Sequence, residues 1–334
     1  MRTLLTAMLT LLCLAQAGHG QQKPPYSEVI AFCDSLSDVG NVAGITEEGT
    51  SPRIDGYFEE THFSDDIIWI EYLAEFWGLP APTPGRGDTT TLEPQPDGTS
   101  WAWGSAEAGA GSVQPTGVTE PVPNLLTQVD QYLISNTPRR DALYVIWCGA
   151  NNLLVGEKFG PQAARAAVDS VVEALRILEA AGARNFLVVN MPRLGDTPDA
   201  QDGGVITEAV ANLYSLLYNG FLNVELARLR FDPRFRANIY FSNAYTEVAL
   251  IVDTVSSGET YVPAFFVPGP PVAINNVTDP AINVFNSNGT FPDDYLFWDS
   301  VHPTTQGHQI VAGVMLQSLP PEGARRDPRR HRFR

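Results

Sequence analysis

Cysteine, positive charge and long apolar runs are all scarce in this sequence. Only three of 334 residues are cysteine, and one of them, Cys13, lies in an N-terminal apolar stretch. The remaining pair, Cys33 and Cys148, cannot build a disulfide framework, and no Cys/His spacing resembles a zinc site. A disulfide-stapled scaffold and a zinc-nucleated domain are therefore excluded, and no metal is expected. Lysine and arginine together number 21 against 38 acidic residues, a formal charge of −17. Seven of those cations sit at the ends: Arg2, Arg325, Arg326, Arg329, Arg330, Arg332 and Arg334. Without them, and without Glu322 and Asp327, 14 basic and 36 acidic residues leave the body at −22. Such a surface repels nucleic acid and anionic lipid headgroups at long range, so neither is an expected partner. Past residue 17 no stretch is long and apolar enough for a membrane helix, so no stable span is expected. No segment repeats.

What is present describes a soluble globular chain with a sizeable core: 44% hydrophobic, 10% aromatic and 18% charged residues. Residues 1–17 read as a signal peptide, with Arg2 as the charged start, Leu4 to Leu14 as the apolar stretch and Ala15-Gln16-Ala17 as the cleavage site. A secreted or periplasmic protein is expected, with a linker over 18–27, one domain over 28–319 and a disordered basic Pro/Arg tail over 320–334.

Within the domain, strand and helix signals alternate. The apolar run Val29-Ile30-Ala31-Phe32 stops abruptly at Cys33-Asp34-Ser35, as a buried strand does at a turn. Residues 42–62 read as loop, 67–77 as a helix closed by Gly78, and 80–99 as a surface loop. A short strand is expected over 100–106, a helix after Pro123, a buried strand over 143–147 and a helix over 161–181 closed by Gly182. A strand at 186–189, a helix over 205–229, a strand at 238–241 and a short helix over 245–253 follow. A last helix reaches about 318. The alternation argues for a parallel sheet covered on both faces. Residues 255–293, with six prolines and several aromatics, break the pattern and are expected to form an ordered wall of the site.

Ser35 would stand at the carboxyl edge of the sheet, where open α/β sheets bind ligands. It reads either as a helix cap or as a nucleophile that needs a base elsewhere in the chain. Asp299 and His302, three apart before a helix, could supply that base and the carboxylate that orients it. The other histidines fit less well: His19 follows the leader, His62 lies in a loop, His308 falls mid-helix and His331 is in the tail. A lone D-x-x-H is weak by itself.

Several blocks in order give more. Phe32-Cys33-Asp34-Ser35-Leu36-Ser37-Asp38-Val39-Gly40-Asn41, Trp101-Ala102-Trp103-Gly104-Ser105-Ala106, Gly149-Ala150-Asn151-Asn152 and Asp299-Ser300-Val301-His302-Pro303-Thr304 together resemble the blocks of the GDSL, or SGNH, hydrolases, specifically their larger secreted lipase/esterase branch. The resemblance covers nearly the whole chain after the leader. It implies a flavodoxin-like three-layer α/β/α fold with a parallel sheet of order 2-1-3-4-5. It also implies Ser35 as nucleophile, His302 as general base and Asp299 as its orienting partner, with no metal or organic cofactor. The oxyanion would be held by the backbone N–H of Ser35, that of Ser105 or adjacent Gly104, and the side chain of Asn151. Three positions depart from the family pattern: Cys33 and Ser105 stand where glycine is usual, and Asn152 replaces an aspartate beside the oxyanion asparagine. In the implied strand order the ends carrying Cys33 and Cys148 are neighbours, so a disulfide there is one reading and two buried thiols the other. The function implied is a secreted serine esterase or lipase. Alternatives are a carbohydrate O-acetyl esterase using Trp101, Trp103 or Trp298 to stack a sugar, and a catalytically silent binding module on the same fold.

Overall fold

The computed structural model describes residues 25–45, 62–85, 97–115, 118, 120–156, 158–288 and 292–320. The expected leader, most of the linker, residues 46–61 of the first loop and the basic tail from 321 onward lie outside the described residues. In chain order the elements are β1 (Val29–Cys33), α1 (Trp69–Trp77), β2 (Ser112–Val113), β3 (Val122–Pro123), α2 (Leu125–Ser135), β4 (Leu143–Trp147), α3 (Asn151–Leu154) and α4 (Gly160–Ala181). They continue as β5 (Asn185–Val189), α5 (Pro198–Asp202), α6 (Val205–Phe231), β6 (Asn238–Ser242), α7 (Ala244–Ser256), α8 (Ala281–Asn288) and α9 (Thr305–Ser318).

Strands β1, β4, β5 and β6 pair in that order, all parallel, with Cys33 beside Trp147 at the carboxyl end of the first pair. Their apolar runs lack polar alternation because each face meets a helix layer. Ile30, Phe32, Tyr144, Ile146, Phe186 and Val188 point into one core with α2, α4 and α6. Val29, Ala31, Leu143, Val145, Trp147 and Leu187 point into the other, with α1 and α9. This is the three-layer α/β/α arrangement.

The outermost strand of the 2-1-3-4-5 order is reduced to an extended segment. Residues 99–103 run along β1, with Trp101 N donating to Ala31 O at 2.8 Å and Trp103 N to Cys33 O at 2.8 Å, but only the Ala31–Ser100 bridge forms. The reason is local. The segment's outer edge is taken up by short contacts, Ser100 O accepting from Gly85 N at 2.6 Å and from Asn41 Nδ2 at 2.9 Å and Ala102 O from Asn41 Nδ2 at 2.7 Å, and the chain then turns away at Ser105, whose φ is +66°. The Asn41 side chain and residues 83–85 thus cover an edge that would otherwise stand open.

Helix ends follow their caps. Ile68 N donates to Glu71 Oε2 at 2.8 Å at the start of α1, and Gly78 closes it in the left-handed region at φ +63°. Thr304 caps α9 by accepting from Gly307 N at 3.2 Å. Among the described residues, no helix is long and apolar enough to cross a membrane.

Candidate active site

β1 ends in a backbone state that side chains rarely adopt, since Cys33 has a φ of +114°. Gln128 holds it there. This fully buried amide accepts from Cys33 N at 2.9 Å and donates to Cys33 O and to Pro123 O, both at 2.8 Å. Asp34 then caps a single 3-10 turn over Ser35–Ser37 through a bond from Leu36 N at 3.2 Å, which lifts Ser35 from the strand end. Burial pushes the Asp34 carboxyl up to about 7, against the opposing pull of the Leu36 N–H and of His302.

From the far end of the chain, the turn after Trp298 delivers the imidazole. Asp299 Oδ1 accepts from Val301 N at 2.7 Å and His302 N at 2.6 Å, while its Oδ2 lies 2.6 Å from His302 Nδ1. The other ring nitrogen, Nε2, lies 2.7 Å from Ser35 Oγ across 267 residues of sequence. All three predicted residues therefore meet. His308, by contrast, is fully buried in α9 away from this chain of bonds, and burial lowers its pKa to about 3.

The oxyanion candidates divide. Asp38 accepts from Gly40, Asn41, Val42 and Gly104 N–H groups at 2.9, 2.6, 3.2 and 2.9 Å, joining the first block to the second. The Gly104 N–H is thus committed to a carboxylate, and the expectation that it could bind an oxyanion is corrected. Glycine is needed at 104 for another reason: a Cβ would come within 2.3 Å of the Phe63 ring. Ser105 N and Ser35 N have no recorded partner among the described residues. Asn151, at the start of α3, donates one amide proton to Ala106 O at 3.0 Å, which orients the side chain and leaves the second proton.

Asn152 explains its departure from aspartate. Its Oδ1 accepts from Ala108 N at 2.9 Å and its Nδ2 donates to Ala108 O at 3.0 Å, a two-way bond that a carboxylate could make only by half. The neutral amide therefore fixes the 106–108 loop, and through Ala106 it steadies Asn151. Cys33 is bonded to Cys148, with Cα atoms 5.3 Å apart, which ties the strand end before Ser35 to the one before Asn151.

Beside Ser35 opens a cavity of about 1050 Å³, counting its mouth. Trp147, Leu154, Met191, Leu194, Ile251 and Ile310 contribute to its largely apolar lining, with Asn151 and His302 at the reactive end. The expected wall over 255–293 does not line it. Instead Tyr261, Val272, Ile274 and Val277 pack with Phe297 and Ile310 in a separate cluster, and Ala281 N and Ile282 N donate to Phe297 O and Trp298 O. The segment braces the acid–base turn from behind, because Tyr261 and Phe265 pack with α7 and α9 rather than line the cavity. Of the expected aromatics, Phe291 lies outside the described residues. The three tryptophans offered for sugar stacking are also buried, Trp101 at 2%, Trp103 at 6% and Trp298 at 0% exposure.

Gln128 is the residue that sequence reasoning passed over. Its signal was there: in α2 it falls among Leu125, Val129 and Tyr132 on the buried stripe, and a polar residue on such a stripe needs a buried partner.

With the geometry in place, comparison with known proteins is direct. A family model described as GDSL-like lipase/acylhydrolase matches residues 29–314. The chain belongs to this family. Membership places it among hydrolases that act on esters. It is similar to a phosphatidylcholine-sterol acyltransferase of Aeromonas hydrophila, 25% identical over 324 residues that cover 87% of this chain and 89% of that one. A thermolabile hemolysin of Vibrio parahaemolyticus is 26% identical over 89% of this chain and 65% of its own length. An acetylesterase of Thermothelomyces thermophilus is 26% identical over 87% of both chains.

Proposed function

We propose that this GDSL-family protein is an exported serine esterase of the lipase type, cleaving carboxylic esters of extended acyl chains through an acyl-enzyme on Ser35. The observation that carries the reading is the line of contacts from Ser35 Oγ to His302 Nε2 at 2.7 Å and from His302 Nδ1 to Asp299 Oδ2 at 2.6 Å. In the first step Ser35 Oγ attacks the ester carbonyl carbon while His302 Nε2 takes its proton. Asp299 accepts from Nδ1–H and stabilises the imidazolium. The carbonyl oxygen, now anionic, is met by the Ser35 and Ser105 N–H groups and the free amide proton of Asn151, donors fixed before the charge appears. Collapse breaks the ester C–O bond, and the leaving alcohol carries away the proton from His302. Water, deprotonated by His302, then attacks the acyl-serine and releases the acid.

The apolar cavity favours a hydrocarbon acyl group over a sugar acetate, since its lining is largely aliphatic and Trp147 is the one tryptophan among its described lining residues. Export rests on residues 1–17 and on the Cys33–Cys148 bond, which an oxidising compartment permits. A fluorophosphonate probe should label the protein at Ser35, and hydrolysis across acetyl to palmitoyl p-nitrophenyl esters should be fastest for chains longer than acetyl. Absence of labelling would return the protein to the silent binding class. A maximum on acetyl esters, or on an acetylated sugar, would move it to the O-acetyl esterases.

A further inference from the structure

α6 is apolar on both sides. Its inner face, with Tyr214, Tyr218, Leu222, Leu226 and Leu229, packs into the core. Among the described residues, its outer face is left exposed. Of the fourteen large hydrophobic side chains exposed among the described residues, seven stand on this one helix: Val205 (79%), Ile206 (81%), Val210, Leu213, Leu216, Val224 and Phe231 (88%). A helix of this composition belongs in a core or against an apolar phase.

Two observations choose the phase. The first is charge. In a body at −22, none of the exposed residues from 205 to 224 is charged; Thr207 and Asn223 are the only polar side chains among them. At about 1.5 Å per residue the strip is roughly 30 Å long. An uncharged strip of that length matches a neutral or zwitterionic surface and gives an anionic one nothing to pair with.

The second is position. The strip starts where the cavity is walled: Arg193, Leu194 and Thr197 line the cavity, and the turn that carries them is pinned to α6 by Leu194 N to Ser215 Oγ at 3.2 Å and Gly195 N to Asn212 Oδ1 at 3.0 Å. The next helix, α5, is bonded through Asp199 N to Ser300 O, inside the acid–base turn. The face and the cavity are thus two sides of one structural unit.

We propose that the outer face of α6 docks the protein on a zwitterionic lipid surface, from which the ester substrate enters the cavity; the delivery half of this statement rests on the esterase reading above, the docking half does not. Apolarity alone would suit a second copy of the chain equally. What favours lipid is that the turn walling one side of the largely apolar cavity is bonded to this same helix, through Ser215 and Asn212.

The test is flotation of the purified protein with phosphatidylcholine vesicles and, separately, phosphatidylglycerol vesicles. The expected result is binding to the former, tighter than to the latter, little weakened by salt. The double variant I206D/L213D should bind at least tenfold more weakly while hydrolysing a soluble butyrate ester at the parent rate, which also shows that it folds. Ser35→Ala should float like the parent protein while losing hydrolysis; a parent protein that floats but hydrolyses no ester, or a Ser35→Ala variant that keeps the parent rate, would sink the esterase reading and leave the docking face standing. Equal flotation of parent and double variant, or none by either, overturns the proposal. So does a parent protein that is dimeric without lipid and made monomeric by I206D/L213D, since a second copy would then be the cover.

Discussion

The two halves of the candidate site are held in opposite ways. The turn over 299–302 aims its own acid–base pair, with Asp299 accepting from Val301 N and His302 N through one oxygen and facing the imidazole with the other, while Asp199 N and the 255–293 segment support only its backbone. The turn over 33–38 is braced from outside. Gln128 fixes the unfavourable backbone of Cys33, Cys148 bonds its sulfur, and Asp38 and Asn41 fasten the block to residues 100–104. A nucleophile and its donors must be positioned together, and the donors come from three separate loops. The imidazole is aimed by a carboxylate three residues away.

The comparison predicts where substitutions should act on chemistry alone and where they should act on structure too. The largest effect belongs to the reacting groups. Ser35→Ala or His302→Ala should reduce kcat on a p-nitrophenyl ester by at least about 10³-fold without lowering Tm, because neither residue holds the fold. A variant retaining a tenth of the parent rate would refute the assigned roles. Next comes the amide of Asn151. Its replacement by alanine should lower kcat roughly 10²–10³-fold, with KM little moved, as removal of one oxyanion donor does. A change confined to KM would mean that Asn151 binds substrate rather than the transition state.

Gln128 sharpens the contrast further. It touches no reacting atom, yet Gln128→Ala leaves the buried Cys33 N–H unpaired, at about 1–3 kcal/mol, and takes from Cys33 O one of its two donors, the other being Trp103 N. Stability and kcat should therefore fall together, with Tm down by several degrees and KM unchanged. The isosteric Gln128→Glu should fare better where its carboxyl is protonated and can still donate, so its kcat relative to parent should recover toward low pH. If Gln128→Ala lost Tm but kept kcat, the outside bracing would be merely structural.

The same contrast decides what could be read from sequence. Self-braced features were visible: Asp299 and His302 announce themselves by spacing, and the expected strand 143–147 coincides with β4, with β5 and β6 matched to within a residue. Outside bracing is invisible to a local pattern. The 100–106 strand is not a regular one, and its outer carbonyls are met by Asn41, some sixty positions away, and by Gly85. The segment over 255–293 reads as a wall because it is aromatic, but only tertiary packing decides which side of α9 those aromatics cover. Gly104 and Ser105 were interchangeable in sequence until Asp38 claimed one N–H.

The smallest effect tests the electrostatics of the externally braced turn. Asp34 is buried, and burial raises its pKa from 3.8 to about 7. A carboxyl whose folded pKa exceeds its unfolded one binds its proton more tightly when folded, so its contribution to stability is complete below about pH 4 and is lost as the pH climbs through about 7. His308, held neutral by burial with a pKa lowered to about 3, acts with the opposite sign between about 3 and 6.5, and Asp38, raised to about 6, acts with the same sign as Asp34. Those contributions cancel when parent and Asp34→Asn are compared over the same range. The carboxamide keeps the oxygen that caps Leu36 N but cannot ionise. Between pH 5 and 8 the parent should lose more unfolding free energy than the variant, by more than about 1.4 kcal/mol, the equivalent of one pKa unit. Parallel curves for the two proteins would mean that water reaches Asp34 and that the turn beside the nucleophile is more open than its packing implies.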